Sequence, residues 1–181
     1  MENLDQNQLT EEQGVPRNSI VWKFAIIFGL IFIIYIILSN MFREQMMEQS
    51  TLVTILTGLI MLAGIIITQM QVRDKSFMGT MNFSKGLGTG MLFTIYLTLI
   101  IVVFGLLFNT VIFPETLQEQ QQLAIDQMRE QEMSQEQIDQ AMKFTGFMFK
   151  PVGAALVGLF SNLFFGLILS LIGAAVTSRN K

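Results

Sequence analysis

The chain changes polarity in long blocks. A polar stretch, residues 1–18, is followed by four apolar runs: Ile20–Leu38, Leu52–Met70, Leu87–Phe113 and Val152–Thr177. A helix needs about 20 residues, rising about 1.5 Å each, to cross a hydrocarbon core of about 30 Å. All four runs meet or approach that length, and Lys23 is their only charge. A lysine one turn inside a span can reach the headgroups while its stem stays apolar. Helices apolar on every side need lipid, or a much larger protein, around them. The period-two alternation of a membrane barrel is absent. The pattern predicts an all-α, polytopic membrane protein. It has four transmembrane helices, at about 20–38, 52–70, 87–113 and 152–177, and a helical hairpin inserted between the third and fourth. The lipid bilayer is its first partner.

The flanks refine this picture. Residues 1–18 are expected to form a disordered polar tail, and 19–181 a single transmembrane domain. No small-residue cleavage site follows the first run, so that run reads as an uncleaved signal anchor. Lys and Arg favour the cytoplasmic side of a bilayer. Arg17, Lys23, Arg73, Lys75, Lys85, Arg179 and Lys181 fall on one side, and Arg43, Arg129, Lys143 and Lys150 on the other. Both termini are therefore expected in the cytoplasm. The loops 39–51 (with Arg43, Glu44 and Glu48) and 114–150 are expected outside.

The third and fourth runs are long enough to tilt or protrude towards loop 114–150. Pro114 should end or kink the third helix, and Pro151 suits the first turn of the fourth. Asn82 and Ser84 are candidate N-caps for the third. The loop carries seven acids, three bases and nine Gln, a net charge of −4, with Gly146 its only glycine. Such residues favour helix. Two helices are expected, about 115–132 and 135–149. Ser134 and Gln137 form an S-x-x-Q capping box at the second. The first has a weak apolar set, Leu117, Ala124 and Met128. The second gathers Ile138, Ala141, Met142, Thr145 and Met148, and its aromatic end should lie at the membrane interface.

Composition narrows the chemistry. The chain has 181 residues, 51% apolar and 14% charged, with net charge −3. Soluble domains carry about 25% charged residues. Without Cys or His there are no disulfides, thiolate or imidazole metal sites, lipidated cysteines or histidine bases. No cofactor is expected. No basic stripe points to nucleic acid.

Four segments in order carry a resemblance: SFMGTMNFSKGLGTG before the third helix, FPETLQEQ at its far end, EMSQEQIDQAM within the loop, and SLIGAAVTSRNK at the C-terminus. Together they resemble the bacterial membrane family called domain of unknown function 4199, over nearly the whole chain after residue 18. The family pattern often puts Gly before the Met of the loop turn. Here Glu132 precedes Met133, which bears on how sharply the chain breaks at Ser134. The resemblance implies a four-helix inner-membrane protein of Gram-negative bacteria. It implies no activity, substrate or functional residue.

The main candidate for function lies in the fourth helix. Ala154, Gly158, Asn162, Gly166, Ser170 and Ala174 recur at every fourth position. Small residues at that spacing let helix backbones approach closely. A four-residue step overshoots one turn by about 40°, so the stripe winds and no single straight partner can use all of it. It can pack within the chain, form a homo-oligomer seam, or meet another membrane protein. Asn162, near the middle of the fourth helix, and Asn109, near the outer end of the third, suit packing contacts; a substrate contact is the alternative, and for Asn109 so is a headgroup-level place with no role. Gly86, Gly88 and Gly90 resemble a phosphate loop only superficially, since no strand precedes and no G-K-[ST] follows. They suit close packing or a flexible helix entry. The acids of the loop lack calcium-loop spacing and suit solvated faces or a protein contact. The thirteen Met residues suit gap filling. No span carries an acid, and Tyr35 and Tyr96 are isolated, so enzyme chemistry is not expected. A structural or interaction subunit fits best. The alternative is a small oligomeric transporter or channel, although the spans show neither internal charges nor breaks at mid-depth.

Overall fold

The computed structural model describes residues 14–42 and 50–179. Most of the polar tail, the connection bearing Arg43, Glu44 and Glu48, and Lys181 lie outside the described residues. The elements run α1 (Arg17–Met41), α2 (Ser50–Ser76), α3 (Phe83–Leu107) continuing into a π-helical turn (Phe108–Ile112), α4 (Thr116–Glu130), α5 (Gln135–Thr145), a 3-10 turn (Gly146–Phe149) and α6 (Pro151–Thr177). Four helices are long and apolar enough to cross a membrane, Arg17–Met41, Thr51–Ser76, Phe83–Ile112 and Pro151–Thr177.

The helix boundaries follow from local chemistry. Asn82 caps α3, its Oδ1 accepting from the Lys85 backbone N–H at 2.9 Å. The α3 helix widens where Phe113 N–H reaches the Phe108 carbonyl at 2.8 Å, a five-residue step. It ends before Pro114, where Phe113 is extended (φ −138°, ψ 72°), as a residue before proline prefers. Between α4 and α5, Glu132 takes a left-handed φ of 58°. The break at Ser134 is therefore sharp with Glu in the left-handed position. The second loop helix ends at Thr145, earlier than its composition suggests. Gly146–Phe149 tightens into a 3-10 turn, and Lys150 is extended ahead of Pro151.

The chain forms two compact units. One comprises the described residues through Thr98 together with those from Asn162; the other is Leu99–Ser161. In the first unit, α1 packs along α2. Val21, Ala25, Ile65, Val72, Phe93 and Leu97 are buried there. Gly64 lies between two rings: a Cβ on it would come within 2.9 Å of both Phe28 and Phe93, which meet edge to face at 5.8 Å. Trp22 and Tyr96 make a second edge-to-face pair at 5.1 Å.

The connection after α2 bonds to residues near both limits of the described chain. Val15 N–H donates to the Lys75 carbonyl at 3.0 Å. Met81 and Arg179 exchange two backbone hydrogen bonds, at 3.0 and 2.8 Å. Met78 and Gly79 make the turn with left-handed φ values of 51° and 84°.

In the second unit, α4 lies against the 3-10 turn and more lightly against α5. Phe108, Leu117 and Ile138 are its buried apolar residues. Phe108 stacks between Phe104 and Phe113, at 5.9 and 5.1 Å. Gly153 is required there, because a Cβ on it would collide with the Phe147 carbonyl.

Candidate functional site: a buried polar lock

The first unit encloses polar side chains that a purely apolar span would lack. Thr68, Gln69, Thr89, Thr94, Ser170 and Thr177 are at most 1% exposed. An amide away from water is costly unless it is hydrogen-bonded. Gln69, near the end of α2, meets that demand across two other helices. Its Nε2 donates to the Gly86 carbonyl of α3 at 3.0 Å and to the Ser170 carbonyl of α6 at 3.3 Å. Its Oε1 accepts from the Thr177 hydroxyl at 3.2 Å. That hydroxyl also faces the Gly173 carbonyl at 2.9 Å, so its single proton is shared between two acceptors. One side chain thus joins three helices.

Glycines make room for it. A Cβ on Gly90 would come within 2.8 Å of Gln69 Nε2 and 2.7 Å of Ser170 Oγ. A Cβ on Gly173 would come within 2.5 Å of Gln69 Oε1. Around the amide, α3 and α6 run antiparallel in a four-residue register. Gly86 faces Ala174, with an added Cβ 3.2 Å from the alanine Cβ; Gly90 faces Ser170; and Gly166 is filled by the Thr94 side chain.

Arg73, one turn beyond Gln69, extends the lock. Its side chain is 8% exposed and holds Asp74 at two points, 2.7 and 3.2 Å. Its Nη1 approaches the Thr177 carbonyl at 3.4 Å. A cation at a helix C-terminus is favourable, because unsatisfied carbonyls concentrate negative charge there. The Ser178 hydroxyl caps the same end by donating to the Ala174 carbonyl.

The predicted stripe is thereby divided. Gly166, Ser170 and Ala174 are buried in the first unit. Asn162 and Ala154 are half-buried, and a Cβ on Gly158 would meet nothing within 4 Å. Of the KGLGTG glycines, Gly86 and Gly90 face α6, whereas Gly88 has only an Arg17 nitrogen at 3.9 Å. Asn109 donates to the Gly105 carbonyl of its own helix at 2.9 Å. In the other unit, Ser134 and Gln137 make a reciprocal cap. Ser134 Oγ accepts from Gln137 N–H at 3.3 Å, and Gln137 Oε1 accepts from Ser134 N–H at 2.8 Å.

Sequence reasoning missed Gln69. Its signal was an amide inside an apolar run, on the same face as Arg73 and at the spacing that recurs in Gly86/Gly90 and Ser170/Ala174. Chemically, the site holds helices together. Among the described residues no group of three or more Asp or Glu gathers to bind a metal. The hydroxyls of Thr94, Thr98 and Ser170 are buried without hydrogen-bond partners.

A family model described as Protein of unknown function (DUF4199) matches residues 23–179. No curated protein and no solved structure matches the chain.

Proposed function

The chain belongs to that family, and from this premise we propose that it is a non-enzymatic, multi-pass subunit of the bacterial inner membrane that works by packing. Its contacts are the open part of the α6 stripe and the helical loop 114–150. Both termini face the cytoplasm and the loop faces the periplasm, a reading supported by the excess of basic residues on the terminal side. The observation that carries the proposal is the division of the stripe. Its last three members pack inside the chain, and Gly158 is left with open space above its Cα. Without a hydrophobic drive in lipid, such an open small residue is where a second helix can approach. The partner is a second copy of the chain or another membrane protein.

The test uses Gln131→Cys, the chain's only thiol once introduced. Gln131 is exposed at the end of α4. An impermeant photo-cross-linker is attached in cells with a permeabilised outer membrane and then irradiated. A reproducible protein adduct is expected. Labelling with no adduct would remove the loop from the proposed contact surface. Labelling only after the inner membrane is opened would reverse the orientation.

The buried, unpartnered hydroxyls of Thr94, Thr98 and Ser170 favour a second reading, a small oligomeric transporter or channel. That reading requires water to reach mid-membrane positions such as Asn162. Protection of an introduced Asn162→Cys from soluble thiol reagents would count against it.

A further inference from the structure

The second unit contains a cleft of about 460 Å³, lined largely by residues of the loop 114–150. Asn109 and Thr110 of the π-helical turn line it with the adjoining Pro114, together with Leu117, Gln118 and Gln121 of α4 and Phe149, Lys150 and Pro151 at the start of α6.

Three observations define what fits. The first is depth. One apolar helix ends at Ile112 and another begins at Pro151. The cleft therefore straddles the boundary between hydrocarbon and headgroups, with Asn109 and Thr110 on the apolar side and Gln118, Gln121 and Lys150 beyond it. The second is charge. The segment 114–150 has a net charge of −4, yet the cleft is lined by a lysine and no carboxylate. Lys150 has no ion-pair partner among the described residues. The third is the mixture of groups. Three amides and a hydroxyl stand beside Leu117, Phe149 and two prolines. One Asn109 N–H and the Thr110 hydroxyl proton are already given to the Gly105 and Leu106 carbonyls. Their oxygens and the remaining amide groups stay available to a ligand.

We propose that this cleft binds one anionic phospholipid, with the phosphodiester at Lys150 and the polar glycerol region among Asn109, Gln118 and Gln121. An ammonium–phosphate hydrogen bond is charge-assisted and stronger than a neutral one. The apolar walls accept the first part of the acyl chains.

The test is native mass spectrometry of the full chain released from vesicles of phosphatidylglycerol and phosphatidylcholine in equal amounts. One phosphatidylglycerol should be retained per chain, in preference to phosphatidylcholine. Lys150→Glu should lower retention about tenfold or more, the scale of one lost charged hydrogen bond. Lys143→Glu, an exposed lysine outside the cleft, should leave retention unchanged. Gln121→Leu should lower it less than Lys150→Glu, and it decides the matter if the charge reversal does not fold. Equal retention of the two lipids, or an equal effect of Lys143→Glu, would overturn the proposal by reducing it to general surface attraction. Displacement of the lipid by excess inorganic phosphate would overturn it in favour of a free phosphate ligand.

Discussion

The two units differ in how far their polar side chains reach: both make local bonds, and the long-range bonds of Gln69, Arg73 and Thr177 lie in the first. In the first, Gln69, Arg73 and Thr177 make side-chain hydrogen bonds to residues 17 to 108 positions away. In the second, Asn109, Thr110, Gln122, Ser134, Gln135 and Thr145 bond within one turn of their own chain. A long-range bond specifies which helices meet and in what register. A local bond stabilises a helix wherever that helix goes. In the first unit side-chain bonds thus help to fix how α2, α3 and α6 meet, whereas in the second the meeting of helices rests on packing around Phe108, Leu117 and Ile138.

The largest effect should come from filling the closest approach around Gln69 in the first unit. Gly90→Val would drive a side chain into Ser170 Oγ and Gln69 Nε2, each within 2.8 Å of the Cβ alone. Overpacking a tight core costs about 1–3 kcal/mol, occasionally more, and here it also breaks the hydrogen bonds of a buried amide. Folded yield in mild detergent should fall sharply, with loss of a monodisperse peak. The matching change at Gly105, which has nothing within 4 Å of its added Cβ, should leave yield unaltered. Equal behaviour of the two variants would erase the contrast between the units.

The contrast also explains what the sequence disclosed. The four spans are legible because an apolar run of sufficient length has few other fates. The Ser134–Gln137 cap is legible because its partners lie three residues apart. Gln69 was hidden because two of its three partners are backbone carbonyls, at Gly86 and Ser170, which every residue type possesses. The stripe on α6 was visible, but its division was not. Only the antiparallel register with Gly86, Gly90 and Thr94 decides which small residues are used. The π-helical turn before Pro114 was hidden as well, since proline signals that a helix must stop but not how the preceding turn accommodates it.

A second, smaller effect sharpens the role of the lock itself. Gln69→Leu keeps most of the side-chain volume and removes both donors and the acceptor. Helix-to-helix hydrogen bonds in membranes average about 0.6 kcal/mol each. The carbonyls of Gly86 and Ser170 also belong to helices and keep acceptor roles there. The expected cost is about 1–2 kcal/mol, read as a lower midpoint in thermal unfolding. Gln69→Ala should cost more, because it adds a cavity to the lost bonds. If Gln69→Leu proved as stable as the parent chain, the amide would be serving something other than packing. The unpartnered hydroxyls nearby would then gain weight as part of a transport path.

The smallest effect on stability should come from Gly158→Ile, and this variant discriminates most clearly between uses of α6. With nothing within 4 Å of the added Cβ, the branch point of an isoleucine there meets no other group. It also removes a helix glycine, whose interior cost relative to alanine is about 1 kcal/mol. Folding should therefore be neutral to within about 0.5 kcal/mol, as for most substitutions at open positions. Association is a different matter. If a second helix approaches at Gly158, the branched side chain holds the two backbones apart, and the assembly extracted from membranes should shrink while the folded yield stays constant. The equivalent change at Gly166, which is filled by Thr94, should lower the yield itself. Unchanged assembly size in Gly158→Ile, measured by light scattering of the purified full chain, would mean that this part of the stripe faces lipid. The partner surface would then have to lie on the loop.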